Sequence, residues 1–243
     1  MEADRPTLKR IHARRLREVY RSAGWPSLDV VEIELLAAGL LERVVGTGGL
    51  ECVRVTDAGI RYLAQAAQIN RGAFNAHQAL IDQVSQSLLR DGRLVWTNLS
   101  LRAQLPPEGD DQLKPRWKMC MPDVFSVRNS SMQAFLEPIV HEIKVSRTDL
   151  LGDLKLADKR AAYLDIGGQC WYVLGCDAKG RPIGEPEEIA LECGVIVCAD
   201  GKLEVVRSAP RRPSHQVPFA VWMALAKATP LRFADQDDVE GVL

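Results

Sequence analysis

Met121-Pro122-Asp123-Val124-Phe125-Ser126-Val127, answered nineteen positions beyond its aspartate by His141-Glu142-Ile143-Lys144-Val145, frames the reading of this whole chain. Successive side chains of a strand point to opposite faces, so Glu142 and Lys144 share one face, about 7 Å apart along the strand. His141 takes the other face. Midway between Asp123 and Glu142 lies Asn129-Ser130-Ser131-Met132-Gln133, a polar stretch rich in turn formers. If it closes an antiparallel hairpin, both carboxylates arrive at the same end of that hairpin.

Two carboxylates and one ammonium then converge. Carboxylates are hard oxygen ligands suited to Mg²⁺ (or Mn²⁺), and Mg²⁺ keeps several waters while accepting one or two side-chain ligands. A bound ion lowers the pKa of a coordinated water and offsets charge building on phosphorus oxygens. A neighbouring ammonium orients the attacking water and stabilises the same charge. Asp123 and Glu142 are the candidate metal ligands, and Lys144 the candidate partner of water and transition state. Glu-x-Lys alone is an ordinary charged strand face, and Pro-Asp alone an ordinary strand start. Only the pair in matching context points to phosphodiester hydrolysis.

The 243 residues allow one large or two small domains of ordinary globular composition. No stretch approaches the ~20 consecutive apolar residues of a membrane span. The start, Met1-Glu2-Ala3-Asp4-Arg5, lacks a signal-peptide pattern, so a cytoplasmic location and no membrane partner are expected. The six cysteines include no Cys-x-x-Cys pair, and runs such as Gly194-Val195-Ile196-Val197-Cys198 suit buried free thiols better than a metal cluster. A net charge of −1 gives no global footprint for nucleic acid, so DNA contact must come from local patches.

Residues 1–72 read as a helical unit with a wing. A first helix runs from Thr7, as N-cap, to Ser22; Leu8, Ile11, Leu16, Val19 and Tyr20 are its apolar positions, and Arg10, Arg14, Arg17 and Arg21 make a basic stripe. A second spans about 27–38, stopped by Gly39 and carrying Asp29, Glu32 and Glu34. Two short strands follow around Gly46-Thr47-Gly48-Gly49, then a third helix from Thr56-Asp57-Ala58-Gly59 through Ala67. The phrase Glu34-Leu35-Leu36-Ala37-Ala38-Gly39-Leu40-Leu41-Glu42-Arg43 with Val55-Thr56-Asp57-Ala58-Gly59 resembles the winged-helix domains of bacterial regulators. DNA contact and protein contact both remain open for it.

Residues 73–207 read as a mixed α/β unit. It comprises a helix over about 74–90, a strand at Leu94–Leu99, an irregular loop over 102–119, the two hairpin strands, and a helix from Ser146 to about Asp165. The strand Cys170–Leu174 comes next, and then two strands pairing around Asp200-Gly201, a favoured two-residue turn. Residues 208–243 hold a Pro/Arg linker and a last helix, Phe219 to Ala228.

This order (helix, three strands, helix, strand), with Asp123 on the second strand and Glu142-x-Lys144 on the third, resembles the PD-(D/E)xK nuclease superfamily. Within it, Pro122-Asp123, the stretch His141-Glu142-Ile143-Lys144-Val145-Ser146-Arg147-Thr148-Asp149-Leu150-Leu151 with Asp153 and Lys155, the later Gly194-Val195-Ile196-Val197 and the ending Arg207-Ser208-Ala209-Pro210 resemble MmcB-type bacterial DNA repair proteins. The resemblance covers about 75–210. It implies a restriction-endonuclease-like core, a role in DNA processing, Asp123 and Glu142 as metal ligands, and Lys144 as the catalytic lysine. For the acid that many superfamily members place on the first core helix, Gln78 and Asp82 are the candidates.

Further residues have two readings. Lys155, Lys159 and Tyr163 recur every four residues on one helix face, as a phosphate groove or a solvated face. Arg147, just before a helix N-terminus, suits anion contact. His141, Trp171 and Tyr172 read as packing residues; Arg211 and Arg212 suit either DNA or a basic linker. Together these observations point to a metal-dependent nuclease acting on DNA. The alternatives are a DNA-binding repair protein that cuts nothing and a winged-helix transcription regulator. Cutting both strands of a duplex with a single active site implies a homodimer.

Overall fold

The computed structural model describes residues 8–22, 24–46, 49–107, 116–177, 179–212 and 215–232. It is a mixed α/β chain in two units, Met1–Phe74 and Asn75–Leu243. Among the described residues no helix is long and apolar enough to cross a membrane.

In the first unit, α1 (Arg10–Arg21) buries His12, Ala13, Leu16 and Val19 at helical spacing, leaving Arg10, Arg14, Arg17 and Arg21 outside. Its N-cap is Lys9; Thr7 lies outside the described residues. α2 (Val30–Ala37) starts at Asp29, whose carboxylate accepts from the Glu32 N–H at 2.9 Å, and ends before Gly39 at φ +68°. β1 (Leu41–Val45) and β2 (Glu51–Val55) pair antiparallel from Leu41↔Val55 to Val45↔Glu51; Thr47 and Gly48 of their turn are outside the described residues. Leu16, Leu35, Leu41 and Val53 form the core. The acids of α2 are consumed internally: Asp29 meets Arg15 at 2.9 Å, buried Glu32 accepts from the Ser27 and Leu28 N–H groups, and Glu34 takes His12 Nε2 at 2.5 Å.

α3 (Asp57–Arg90) is one helix where the sequence suggested two. The intervening 68–73 contain no proline and one glycine, Gly72, whose cost of about 1 kcal/mol does not interrupt a helix.

The second unit continues with β3 (Arg93–Thr97), β4 (Leu101–Leu105), β5 (Arg116–Cys120), β6 (Val124–Arg128), β7 (Ile139–Lys144), α4 (Arg147–Leu154), α5 (Ala157–Gly167), β8 (Gln169–Leu174), β9 (Gly194–Ala199), β10 (Lys202–Arg207) and α6 (Phe219–Leu225). The expected irregular loop over 102–119 is instead β4 and β5, an antiparallel ribbon running from Leu101↔Cys120 to Leu105↔Arg116; 108–115 are outside the described residues. Leu101, Ala103 and Leu105 alternate inward, which is enough to make β4 a strand.

Six strands form one mixed sheet in the order β10-β9-β8-β7-β6-β3, with β7, β8 and β9 parallel and the other pairs antiparallel. Each face has its own core, as alternation along β7 requires. Val140 packs with Leu150, Tyr163, Ile166, Leu101 and Val221 on one side. Ile143 packs with Leu80, Ile81, Val84 and Leu88 of α3 on the other. Fully burying a Leu or Ile side chain contributes roughly 1.5–3 kcal/mol, so both layers matter to stability.

Asp200 and Gly201 turn β9 into β10 with φ +50° and +71°, as a two-residue hairpin demands. A bulge then shifts the register between Val205 and Arg207. The Arg207 guanidinium donates to the carbonyls of Cys193, Pro186, Ile189 and Ala190. All six cysteines are free; Cys120, Cys170 and Cys193 are buried, the others partly so.

Candidate functional site

β6 and β7 pair with Val124 opposite His141, which sets Asp123 opposite Glu142 at the hairpin's end. Asp123 Oδ2 accepts from the Ile143 N–H at 2.7 Å and lies 3.5 Å from His77 Nε2 on α3. Its Oδ1 has no partner among the described residues. Glu142 Oε1 accepts from two ammonium groups, Lys144 at 2.7 Å and Lys159 at 2.6 Å, while Oε2 accepts from the Tyr163 hydroxyl at 2.8 Å.

α4 adds two more acids. Asp153 Oδ2 accepts from the Tyr172 hydroxyl at 2.7 Å; its Oδ1 meets Lys159 and lies 3.4 Å from Lys144. Asp149 Oδ2 is 3.1 Å from Lys144. The side chains of Glu142, Lys144 and Asp153 are only 5–6% exposed. Such burial works against the charge on Lys144, but Glu142, Asp153 and Asp149 outweigh it and hold its pKa above the ordinary lysine value. Lys159 is raised likewise: burial opposes its charge, and Glu142 and Asp153 prevail. Burial pushes Asp153 up, yet Lys159, Tyr172 and Lys144 bring it below the ordinary value. Tyr163 and Tyr172 are raised by burial and by the carboxylates they serve, so both remain protonated donors. His77 is raised through its hydrogen bond to Asp123.

Of the residues singled out from sequence, the fold gathers Asp123, Glu142, Lys144 and Lys159. The other two lie elsewhere. The helix expected from Ser146 to about Asp165 breaks after Lys155, where Leu156 leaves helical geometry (φ −95°, ψ +72°). Lys155 and Lys159 therefore belong to different helices and do not share a face. Lys155 is exposed at the C-cap of α4, where its backbone N–H donates to the Asp153 carbonyl and its side chain makes no hydrogen bond or ion pair among the described residues. Lys159 turns inward, its ammonium 5.3 Å from the Tyr163 ring centroid. Arg147, expected just before a helix, is the first residue of α4. Its guanidinium forks onto Glu188 at 2.5 and 2.6 Å, holding that carboxyl at about 2, and is thereby engaged within the fold.

Gln78 and Asp82 bond to each other at 2.9 Å on an exposed part of α3. The α3 side chain that reaches Asp123 is their neighbour His77, which sequence reasoning passed over. Asp153 and the hydroxyl roles of Tyr163 and Tyr172 were also missed, although Asp153 stands in the quoted motif. On the sheet's other face His141 is buried beside Trp171, the rings 6.4 Å apart and 20° from parallel. Its Nδ1 has no partner among the described residues.

A divalent ion can be tested against these donors. Glu142, Asp149 and Asp153 surround Lys144 and Lys159, one negative charge in excess, and Asp123 lies beside His77 at the same end of the hairpin. Asp123 Oδ1 is open, and the Ile143 N–H orients the carboxylate that bears it. Among the described residues no three His, Cys, Asp or Glu side chains gather to cage an ion; Mg²⁺ takes one or two carboxylates and keeps waters. Asp123 and Glu142 fit that demand, provided that Glu142 Oε1 yields one of its ammonium groups.

No protein-family model matches the chain, and no curated protein matches it. Among solved structures, the chain is similar to the SPO1766 protein of unknown function from Silicibacter pomeroyi. Identity is 22% over 59% of this chain and 77% of that one, with a TM-score of 0.37, a likeness too slight to bear on fold or function.

Proposed function

We propose that this protein is a metal-dependent nuclease of the PD-(D/E)xK type, hydrolysing DNA phosphodiester bonds in repair or processing. The second unit then acts as a restriction-endonuclease-like core akin to the MmcB-type repair proteins, and the first as a winged-helix-like module. The observation that carries the reading is the meeting of Asp123, Glu142 and Lys144 at one end of the β6–β7 hairpin. Asp123 and Glu142 would hold Mg²⁺ or Mn²⁺, which supplies an acidified water and charge neutralisation on the phosphate. The Ile143 N–H and the Tyr163 hydroxyl orient the two carboxylates. Lys144, kept protonated by its acids and 2.7 Å from Glu142 Oε1, would stabilise negative charge developing on a phosphate held there.

A second reading, a DNA-binding repair protein that does not cut, is favoured by the full engagement of Glu142, both of whose oxygens are already hydrogen-bonded. Purified protein with Mg²⁺ or Mn²⁺ and labelled single-stranded, duplex and branched DNAs decides between them. Cleavage is expected, and Asp123→Ala or Lys144→Ala should lower it at least 100-fold without unfolding the chain. Tight metal-independent binding with no cleavage would establish the second reading instead.

A further inference from the structure

Lys159 is a cation seated where Glu142 would receive a metal. Glu142 and Asp153 each have one oxygen pinned by a buried tyrosine hydroxyl, at 2.8 Å from Tyr163 and 2.7 Å from Tyr172. Each turns its other oxygen to the same ammonium, that of Lys159. The carboxylates are thus aimed from below before any ligand arrives. Glu142 Oε1 also carries Lys144, so a single oxygen serves two positive groups. A divalent ion added at that oxygen would be the third positive centre within contact distance, and like charges in a half-dry site repel more strongly than in water.

One ammonium must then leave, and the two lysines differ in their freedom to do so. Lys144 is 6% exposed and enclosed by Glu142, Asp149 and Asp153. Lys159 is 23% exposed, on the first turn of α5 beside the break after α4, and touches no acid that Lys144 does not also touch. Its departure leaves Asp153 still held by Tyr172 and near Lys144.

We infer that Lys159 is the built-in counter-cation of Glu142: it competes with the metal for the carboxylate and sets the affinity of the site. This rests on the metal-dependent reading above. Lys159 is a positioning residue here, acting through Glu142.

The test is Mn²⁺ binding by the full chain, read as free Mn²⁺ by electron paramagnetic resonance and as the metal-induced rise in melting temperature. Lys159→Met, and Lys159→Gln in case the methionine variant does not fold, should bind Mn²⁺ about tenfold more tightly than wild type, a gain of about 1.4 kcal/mol. Both should melt lower without metal and gain more from it, and Lys159→Arg should restore wild-type affinity. Equal or weaker Mn²⁺ binding by the neutral variants would overturn the inference while leaving the nuclease reading intact. Absence of Mn²⁺ binding in every variant, wild type included, would overturn both.

Discussion

His141 shows how far one buried group reaches into the behaviour of this protein. Burial pushes its pKa down to about 3, with Arg93 adding to the effect, so the folded chain keeps the ring neutral. The unfolded chain protonates it near the ordinary value of about 6.5. Between those values the unfolded state binds a proton that the folded state refuses. Stability from this group is complete above about pH 6.5 and is lost as pH falls toward 3. From pH 6.5 to 5.0 the expected loss is about 1.6 kcal/mol. Denaturant unfolding at the two pH values should show that loss in wild type and its absence in His141→Gln. At this scale the sequence was legible where spacing alone decides geometry. Asp123, Glu142 and Lys144 follow from one hairpin register and the alternation of a strand. Asp153, Tyr163 and Tyr172 were not legible as partners, because their meeting depends on how α4 and α5 lie on the sheet. Lys159 was singled out for the wrong surroundings: an unbroken helix would have kept it beside Lys155.

Elements meet closely where α5 ends. A Cβ at Gly167 would stand 2.8 Å from Val140 Cγ2 and 3.1 Å from Val140 N, so the helix terminus sits hard against β7, two residues from Glu142. Gly167→Ala should destabilise the protein by about 1–3 kcal/mol through overpacking. That corresponds to a fall of roughly 2–4 °C in melting temperature per kcal/mol for a chain of this size, read by calorimetry. Element boundaries were the least legible part of the sequence for identifiable reasons. The polar residues between Ala67 and Phe74 masked a continuous α3, since a helix lacking a breaker continues without an apolar stripe. The Pro-, Gly- and Asp-rich 106–115 overshadowed the inward alternation of Leu101, Ala103 and Leu105, hiding β4 and β5. The β9–β10 hairpin was legible because Asp200-Gly201 is a turn with few alternatives.

For the whole molecule, a net charge of −1 conceals local asymmetry. The acids at α2 are paired within the unit, whereas Arg10, Arg14, Arg17 and Arg21 lie exposed along about 16 Å of α1. If the first unit touches DNA, that stripe is its means of doing so, by phosphate contact without sequence readout. Arg10→Ala combined with Arg21→Ala should reduce the slope of log affinity against log salt by about two, measured by fluorescence anisotropy on duplex DNA. An unchanged slope would show that this stripe makes no phosphate contact. The bulge in β10 bears on a different property of the molecule. An open sheet ends in a row of unpaired backbone groups that invites a further strand from another chain. Where Val205 gives way to Arg207, the ladder of β10 is interrupted and the strand turns more strongly, while Arg207 is anchored inward by four carbonyls. The exposed Val205 and Val206 are thereby denied a straight edge on which to template fibril growth.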